Sequence, residues 1–257
     1  MNDIIGLSHL VFSVDQNKKQ ENILLKTLYD NEKFYEFDHK KVRSPFIRNK
    51  ENLTSKLNIY NSSFSDMPPI ELLTVTNASK RSKNNYGLIV NDKSFSINQD
   101  KIKIEFCNSE FYVLCFFDSF LNSYVAVENN FFNSGNGCWY LAKDFDDQKF
   151  FLKSIPSVKI IKDDENIFII RCRIINKFFS SFTIVLIKDY NEKSNLYNDD
   201  IGLSSMGWFS KNLNLDFLNN GKFNSTKKFT INLDKNKFNA KFIYNNKGIS
   251  HELLKIK

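Results

Sequence analysis

Hydrophobic and polar residues alternate with period two from Leu7 to Val14. That places Leu7, His9, Val11 and Ser13 on one face and Ser8, Leu10, Phe12 and Val14 on the other, as a strand requires. Asp15 then stands where a helix N-cap is wanted. Leu24 and Leu28, four apart, with Leu25 beside them, give the following segment an apolar stripe and predict a helix over about 16–29. Lys33–His39 and Leu57–Asn61 alternate as strands. Ile70–Val75 is a further strand, entered after the double proline Pro68-Pro69. The order is β-α-β-β-β.

The order recurs. Cys138–Lys143 reads as a strand, Asp144 as a cap for a helix to about Lys153, and Val158–Ile161, Ile167–Ile174 and Phe182–Lys188 as three strands. The phrase Ile201-Gly-Leu-Ser-Ser then repeats Ile5-Gly-Leu-Ser-His. A short helical piece near 213–218 and strands at Phe229–Leu233, Phe238–Tyr244 and His251–Ile256 follow, with Glu252-Leu-Leu echoing Glu71-Leu-Leu. Self-similarity of this kind outranks local propensity in choosing a fold. The predicted organisation is a βαβββ module over 1–78, a degenerate module or insertion over 79–133, a module over 134–195 and a last module over 196–257. The second segment has strand-like pieces at Tyr86–Val90, Lys101–Phe106, Phe111–Phe117 and Tyr124–Val127 but no convincing helix, and both readings of it stay open.

Composition narrows the function. The 257 residues suffice for a sizeable core, and the shares of hydrophobic (42%) and charged (25%) residues are those of an ordinary folded chain. The net charge is +7, but the lysines are scattered and the densest run, Lys80-Arg-Ser-Lys83, is short, so no nucleic-acid partner is expected. Cys107, Cys115, Cys138 and Cys172 form no C-x-x-C pair, which removes zinc-ribbon and thioredoxin-like readings and leaves buried thiols. The N-terminus has no basic run ahead of an apolar one. No apolar stretch approaches the roughly 20 residues of a membrane-spanning helix. The expectation is a cytoplasmic protein without a membrane partner. Phosphate-binding glycine loops and the G-x-S-x-G elbow are absent.

The ordered recurrence of Gly6-Leu-Ser-His-Leu-Val-Phe-Ser-Val, its helix, and Pro69-Ile-Glu-Leu-Leu-Thr resembles the vicinal oxygen chelate superfamily, the glyoxalase, bleomycin-resistance and extradiol dioxygenase-like group. The resemblance implies an α+β fold whose βαβββ modules pair into curved, cup-shaped mixed sheets. It also implies a divalent metal held by residues of first and fourth strands, and a metal-dependent lyase or isomerase acting on a small oxygenated metabolite through an enolate-type intermediate. His9 matches the first-strand ligand position and Glu71 the fourth-strand one. Strand alternation supports the pair, since His9 shares a face with Val11, and Glu71 with Leu73 and Val75.

Imidazole and carboxylate together suit Zn, Fe, Mn, Ni or Co. A hydrogen-bonded His–Glu pair and a solvated Glu71 are the bland alternatives. In the last module Ser205 stands where the repeat would want histidine, while Glu252 matches the fourth-strand position, as third ligand or as catalytic base. In the 134–190 unit that position falls near Val185, which cannot ligate. With one histidine, the iron-dependent extradiol activity is demoted. His251 is read as a surface or helix-facing residue and His39 as solvated. A small-molecule substrate is the expected partner, and a homodimer stays open. Two rivals remain: a metal-free binding protein of the same fold that sequesters a small ligand, and an accessory or scaffold protein.

Overall fold

The computed structural model describes residues 3–15, 28–29, 35–39, 55–75, 86–91, 100–175, 180–190, 202–215, 222–233, 236–245 and 249–256, with 35–39, 55–57, 202, 233 and 256 described by backbone only. Strands β1 (Ile4–Asp15), β2 (Tyr35–His39), β3 (Ser55–Tyr60) and β4 (Ile70–Val75) come first, then β5 (Tyr86–Ile89), β6 (Ile102–Phe106), β7 (Phe111–Asp118) and β8 (Ser123–Asn129). Next come β9 (Gly137–Ala142), helix α1 (Phe145–Lys153), β10 (Lys159–Asp163), β11 (Ile167–Arg173) and β12 (Ser181–Lys188). Strands β13 (Gly202–Ser210), β14 (Asn224–Ser225), β15 (Phe229–Leu233), β16 (Asn236–Tyr244) and β17 (Ser250–Ile256) complete the order. The helix predicted over 16–29 lies outside the described residues except at Leu28 and Tyr29. Of the helical piece predicted at 213–218, residues 213–215 are irregular and the rest lie outside.

Two curved sheets result. One runs β14-β16-β17-β13-β1-β4-β3-β2, with β15 also on β16; the other runs β10-β11-β12-β9-β5-β8-β7-β6. In each group of strands the first and last are parallel neighbours: β1 with β4, β5 with β8, β9 with β12, β13 with β17. Antiparallel seams, β1 with β13 and β9 with β5, join the groups in pairs. The outer quarters of the chain therefore build one sheet and the middle quarters the other.

Alternation decides what each face buries. Leu10, Phe12 and Val14 of β1 enter one large core with Ile70 and Leu72 of β4, Tyr140 of β9, Phe168 and Ile170 of β11, and Met206 and Trp208 of β13. Helix α1 adds Phe145, Phe151 and Leu152, so this core joins the backs of both sheets. Each such side chain stabilises the fold by roughly 1.5–3 kcal/mol on burial. Phe12 meets Tyr86 edge to face at 6.5 Å across the junction. Asp144 sits at the N-cap position of α1, but its side chain makes no capping bond; it accepts instead from Gln148 Nε2 at 2.9 Å and from Asn245 Nδ2. The predicted helix is there, while the predicted capping interaction is replaced by a side-chain bond from the helix's own Gln148 and a tertiary one from Asn245. Cys115, Cys138 and Cys172 are buried, Cys107 is half-buried, and all four are free thiols. No helix among the described residues is long and apolar enough to cross a membrane.

The concave face of the second sheet is filled. Trp139, fully buried, packs with Phe106 at 6.3 Å, and Phe106 and Phe111 both meet Phe131. Trp139 lies across Gly87, its partner on β5, where an added Cβ would fall 1.9 Å from the indole. Only a residue without a side chain admits the ring there. Gly87→Ala should therefore cost about 1–3 kcal/mol, the usual penalty of overpacking, read as a lower urea midpoint with an unchanged m-value. An unaltered midpoint would show that the ring moves aside freely.

Candidate metal centre

The concave face of the first sheet differs in chemistry. Sequence alternation places Leu7 on the face of His9, but the β1–β13 register shifts between Leu7 and His9, and Leu7 turns into the core. The irregularity falls at Ser8, whose Oγ lies 3.0 Å from His9 Nδ1. Register shifts of this kind re-aim side chains. Beyond it the alternation holds. Ile70 and Leu72 of β4 go to the core and Glu71 and Leu73 to the cup; on β17 Leu253 goes to the core and Glu252 and Leu254 to the cup.

Pairing then brings the three groups together. Val11 on β1 is level with Glu71 on β4, and Gly207 on β13 is level with both His9 on β1 and Glu252 on β17. The imidazole lies over Gly207, where a Cβ would come 2.2 Å from Cε1 and 2.5 Å from Nδ1. His9 Nε2 is 3.3 Å from Glu71 Oε2 and 3.4 Å from Glu252 Oε2, with all three side chains nearly buried.

Electrostatics explains why the cluster holds. Burial alone pulls the His9 imidazolium down, but the close carboxylates of Glu252 and Glu71 outweigh it and raise its pKa to about 10. Burial pushes the Glu252 carboxyl up; His9 works against that rise and the charge of Glu71 adds to it. Yet Nε2 makes no well-directed hydrogen bond to either carboxylate.

One donor atom from each of the three residues lies within 4.8 Å of the others. Ligand bonds of about 2.1 Å imply ligand-to-ligand edges of roughly 3.0–3.4 Å, so the two His9–carboxylate separations are those of neighbours around one ion. The donor set fits a borderline divalent metal. A proton on Nδ1, donated to Ser8 Oγ, leaves the Nε2 lone pair for an ion.

The other residues singled out in the sequence fall elsewhere. His251 is not at the surface. It is fully buried and faces the helix: it stacks on Phe151 at 3.9 Å, its Nδ1 accepts from Trp208 Nε1 at 3.2 Å, and its Nε2 therefore donates to Gln148 Oε1 at 2.8 Å. Burial lowers its pKa to about 3, so it stays neutral. His39 is on β2, but its side chain lies outside the described residues. Ser205 is buried opposite Val11.

No protein-family model matches the sequence, and no curated protein matches it. Solved structures do match. A "putative dioxygenase" from Bacillus subtilis subsp. subtilis str. 168 aligns at TM-score 0.59 and 10% identity, over 99% of this chain and 86% of its own. Glyoxalase I from Zea mays aligns at TM-score 0.53 and 11% identity, over 97% of this chain and 92% of its own.

The chain has the glyoxalase-like fold.

Within this glyoxalase-like fold the two sheets are not equivalent. Trp139 stands against Gly87 as His9 stands against Gly207. The residues level with Leu141 and Gly87, as Glu71 and Glu252 are with Val11 and Gly207, are Ile187 and Tyr124. The fourth-strand position expected near Val185 is thus Ile187, displaced by two residues but equally unable to bind an ion. Sequence reading also passed over Ser8 and Gly207. The glycine was visible two residues after Ser205 in the repeat, but its meaning depends on which strand lies beside it.

Two expectations follow. Gly207→Ala should leave the protein folded yet weaken divalent-metal binding at least as much as loss of a ligand-orienting contact, about tenfold or more, because it displaces the imidazole. Metal binding equal to wild type would refute the contact. The second concerns pH. Because the folded pKa of His9 lies above its ordinary 6.5, its contribution to metal-free stability is complete below about 6.5 and lost as pH rises towards about 10. Urea midpoints of the metal-free protein should fall over that interval and be flatter in His9→Gln. Identical profiles would contradict the charge assignment.

Proposed function

We propose that the chain is a metal-dependent lyase or isomerase acting on a small oxygenated metabolite, with His9, Glu71 and Glu252 as the ligands of a divalent ion. The carrying observation is the convergence of two carboxylates, one buried and one nearly so, on a buried imidazole nitrogen that makes no directed hydrogen bond. Two carboxylates around a single imidazolium still leave one uncompensated negative charge in a buried site, which is costly, and a resident divalent ion offsets it.

A bound ion of this class stabilises negative charge developing on a substrate oxygen. The protein's own groups do the remainder. Glu71 and His9 fix the position, and Ser8 holds the orientation of the imidazole. Glu252 is also the base. It takes a proton from a carbon next to a carbonyl, leaving an enolate-type anion on the substrate. On an α-hydroxycarbonyl it then returns the proton to the former carbonyl carbon while the hydroxyl proton passes to the other oxygen of the enediolate; on a substrate with a leaving group one carbon further on, the anion expels that group instead. The ion beside it would keep the carboxylate ionised, the form a base requires. Buried Phe242, paired with Glu252 across the sheet, and Leu254, two residues along the strand, keep water away from it. The likeness to glyoxalase I and to the Bacillus subtilis protein supports the fold on which this reading stands.

One observation favours a second reading. Ser205 takes the place of a fourth donor, which suits a protein of the same fold that sequesters a small ligand without turning it over. Elemental analysis separates the two. The enzyme reading expects a stoichiometric divalent ion, retained through gel filtration and lost in His9→Ala and Glu71→Gln. Purified wild type that takes up no ion when dialysed against zinc, cobalt or manganese would leave sequestration standing.

A further inference from the structure

The internal repeat and the strand register together describe a four-cornered site. Glu71 is level with Val11, two residues beyond His9; Glu252 is level with Gly207, two residues beyond Ser205. His9 and Ser205 therefore hold equivalent positions on the two inner strands, and Glu71 and Glu252 on the two flanking ones. Three corners carry metal donors and the fourth carries a hydroxyl.

The direction of Ser205 is set by its neighbours. Ser204 Oγ donates to Val11 O at 3.2 Å, and Met206 enters the core between the sheets, so Ser205 projects to the cup face with Gly207. It is 3% exposed, and its hydroxyl has no hydrogen-bond partner among the described residues. A structural serine would be expected to bond a neighbouring carbonyl, as Ser204 and Ser250 do.

We propose that Ser205 marks the open side of the centre and donates a hydrogen bond to an oxygen of the ligand bound there, so that it acts as a positioning residue for substrate rather than as a metal ligand. The proposal rests on the metal reading above. It also accounts for a three-donor set: a catalytic ion keeps one position free of protein, and here the free position is the corner diagonal to His9.

The test uses cobalt(II) as the ion and acetohydroxamate, a small bidentate oxygen donor, as the probe, both followed by visible absorption of the loaded full-length protein. Wild type should bind cobalt and then hydroxamate. Ser205→Ala should keep its cobalt affinity within about twofold and lose about threefold to tenfold in hydroxamate affinity, the worth of one hydrogen bond. Ser205→His, which adds a fourth donor, should hold cobalt and lose the hydroxamate response. The proposal is overturned, with the metal reading intact, if wild type binds cobalt but not hydroxamate, if the alanine variant binds hydroxamate like wild type, or if that variant also loses cobalt. Failure of wild type to bind cobalt at all removes the metal reading and the proposal with it.

Discussion

An imidazole lying across a bare stretch of backbone is the contact on which the site depends. His9 reaches the centre of its cup because Gly207, directly opposite, has no side chain to occupy that space. Once there, the ring is bounded by Glu71 and Glu252, each on a strand parallel to one of the two inner strands. None of the three could be buried alone, since an isolated carboxylate in an apolar cup is too costly. Together, and with a divalent ion among them, they become compatible with a dry site. Packing, pairing and charge thus converge on one place, and Ser8 completes it from behind the ring.

The second sheet is a control built into the same molecule. Its strand order and parallel pairs follow the first, and it too sets a ring against a glycine. The ring is an indole, and the residues around it are Ile187 and Tyr124, so the cup becomes hydrophobic core. One backbone arrangement therefore yields either a polar centre or a packed interior, according to three side chains. This agrees with the general rule that a fold carries function only through the groups grafted on it.

Much of this was legible in the chain. Ile70–Val75 is the strand that its alternation predicts; the recurrence of unit order pointed to repeated βαβββ modules, and the resemblance added that they pair into curved, cup-shaped sheets. His9 and Glu71 could be singled out because they match the first- and fourth-strand ligand positions that the resemblance implies, and Glu252 because Glu252-Leu-Leu repeats Glu71-Leu-Leu. What escaped was long-range. The turn of Leu7 into the core depends on a register shift against β13, the role of Gly207 on its cross-strand neighbour, and the burial of His251 on a helix about a hundred residues earlier. Asp144 shows the same limit: its position at the start of α1 was visible, but Gln148 and Asn245 compete for its carboxylate. Strand β14, two residues long, is too short for any alternation to show.

Anomalous diffraction from crystals grown with cobalt tests the central claim most directly. The account predicts one strong peak per chain, bonded at about 2.1 Å to His9 Nε2 and to the carboxylates of Glu71 and Glu252, and none in the cup that holds Trp139. Crystals in which His9 and the two glutamates contact each other with no peak between them at saturating cobalt, or in which the ion sits elsewhere on the protein, would contradict it.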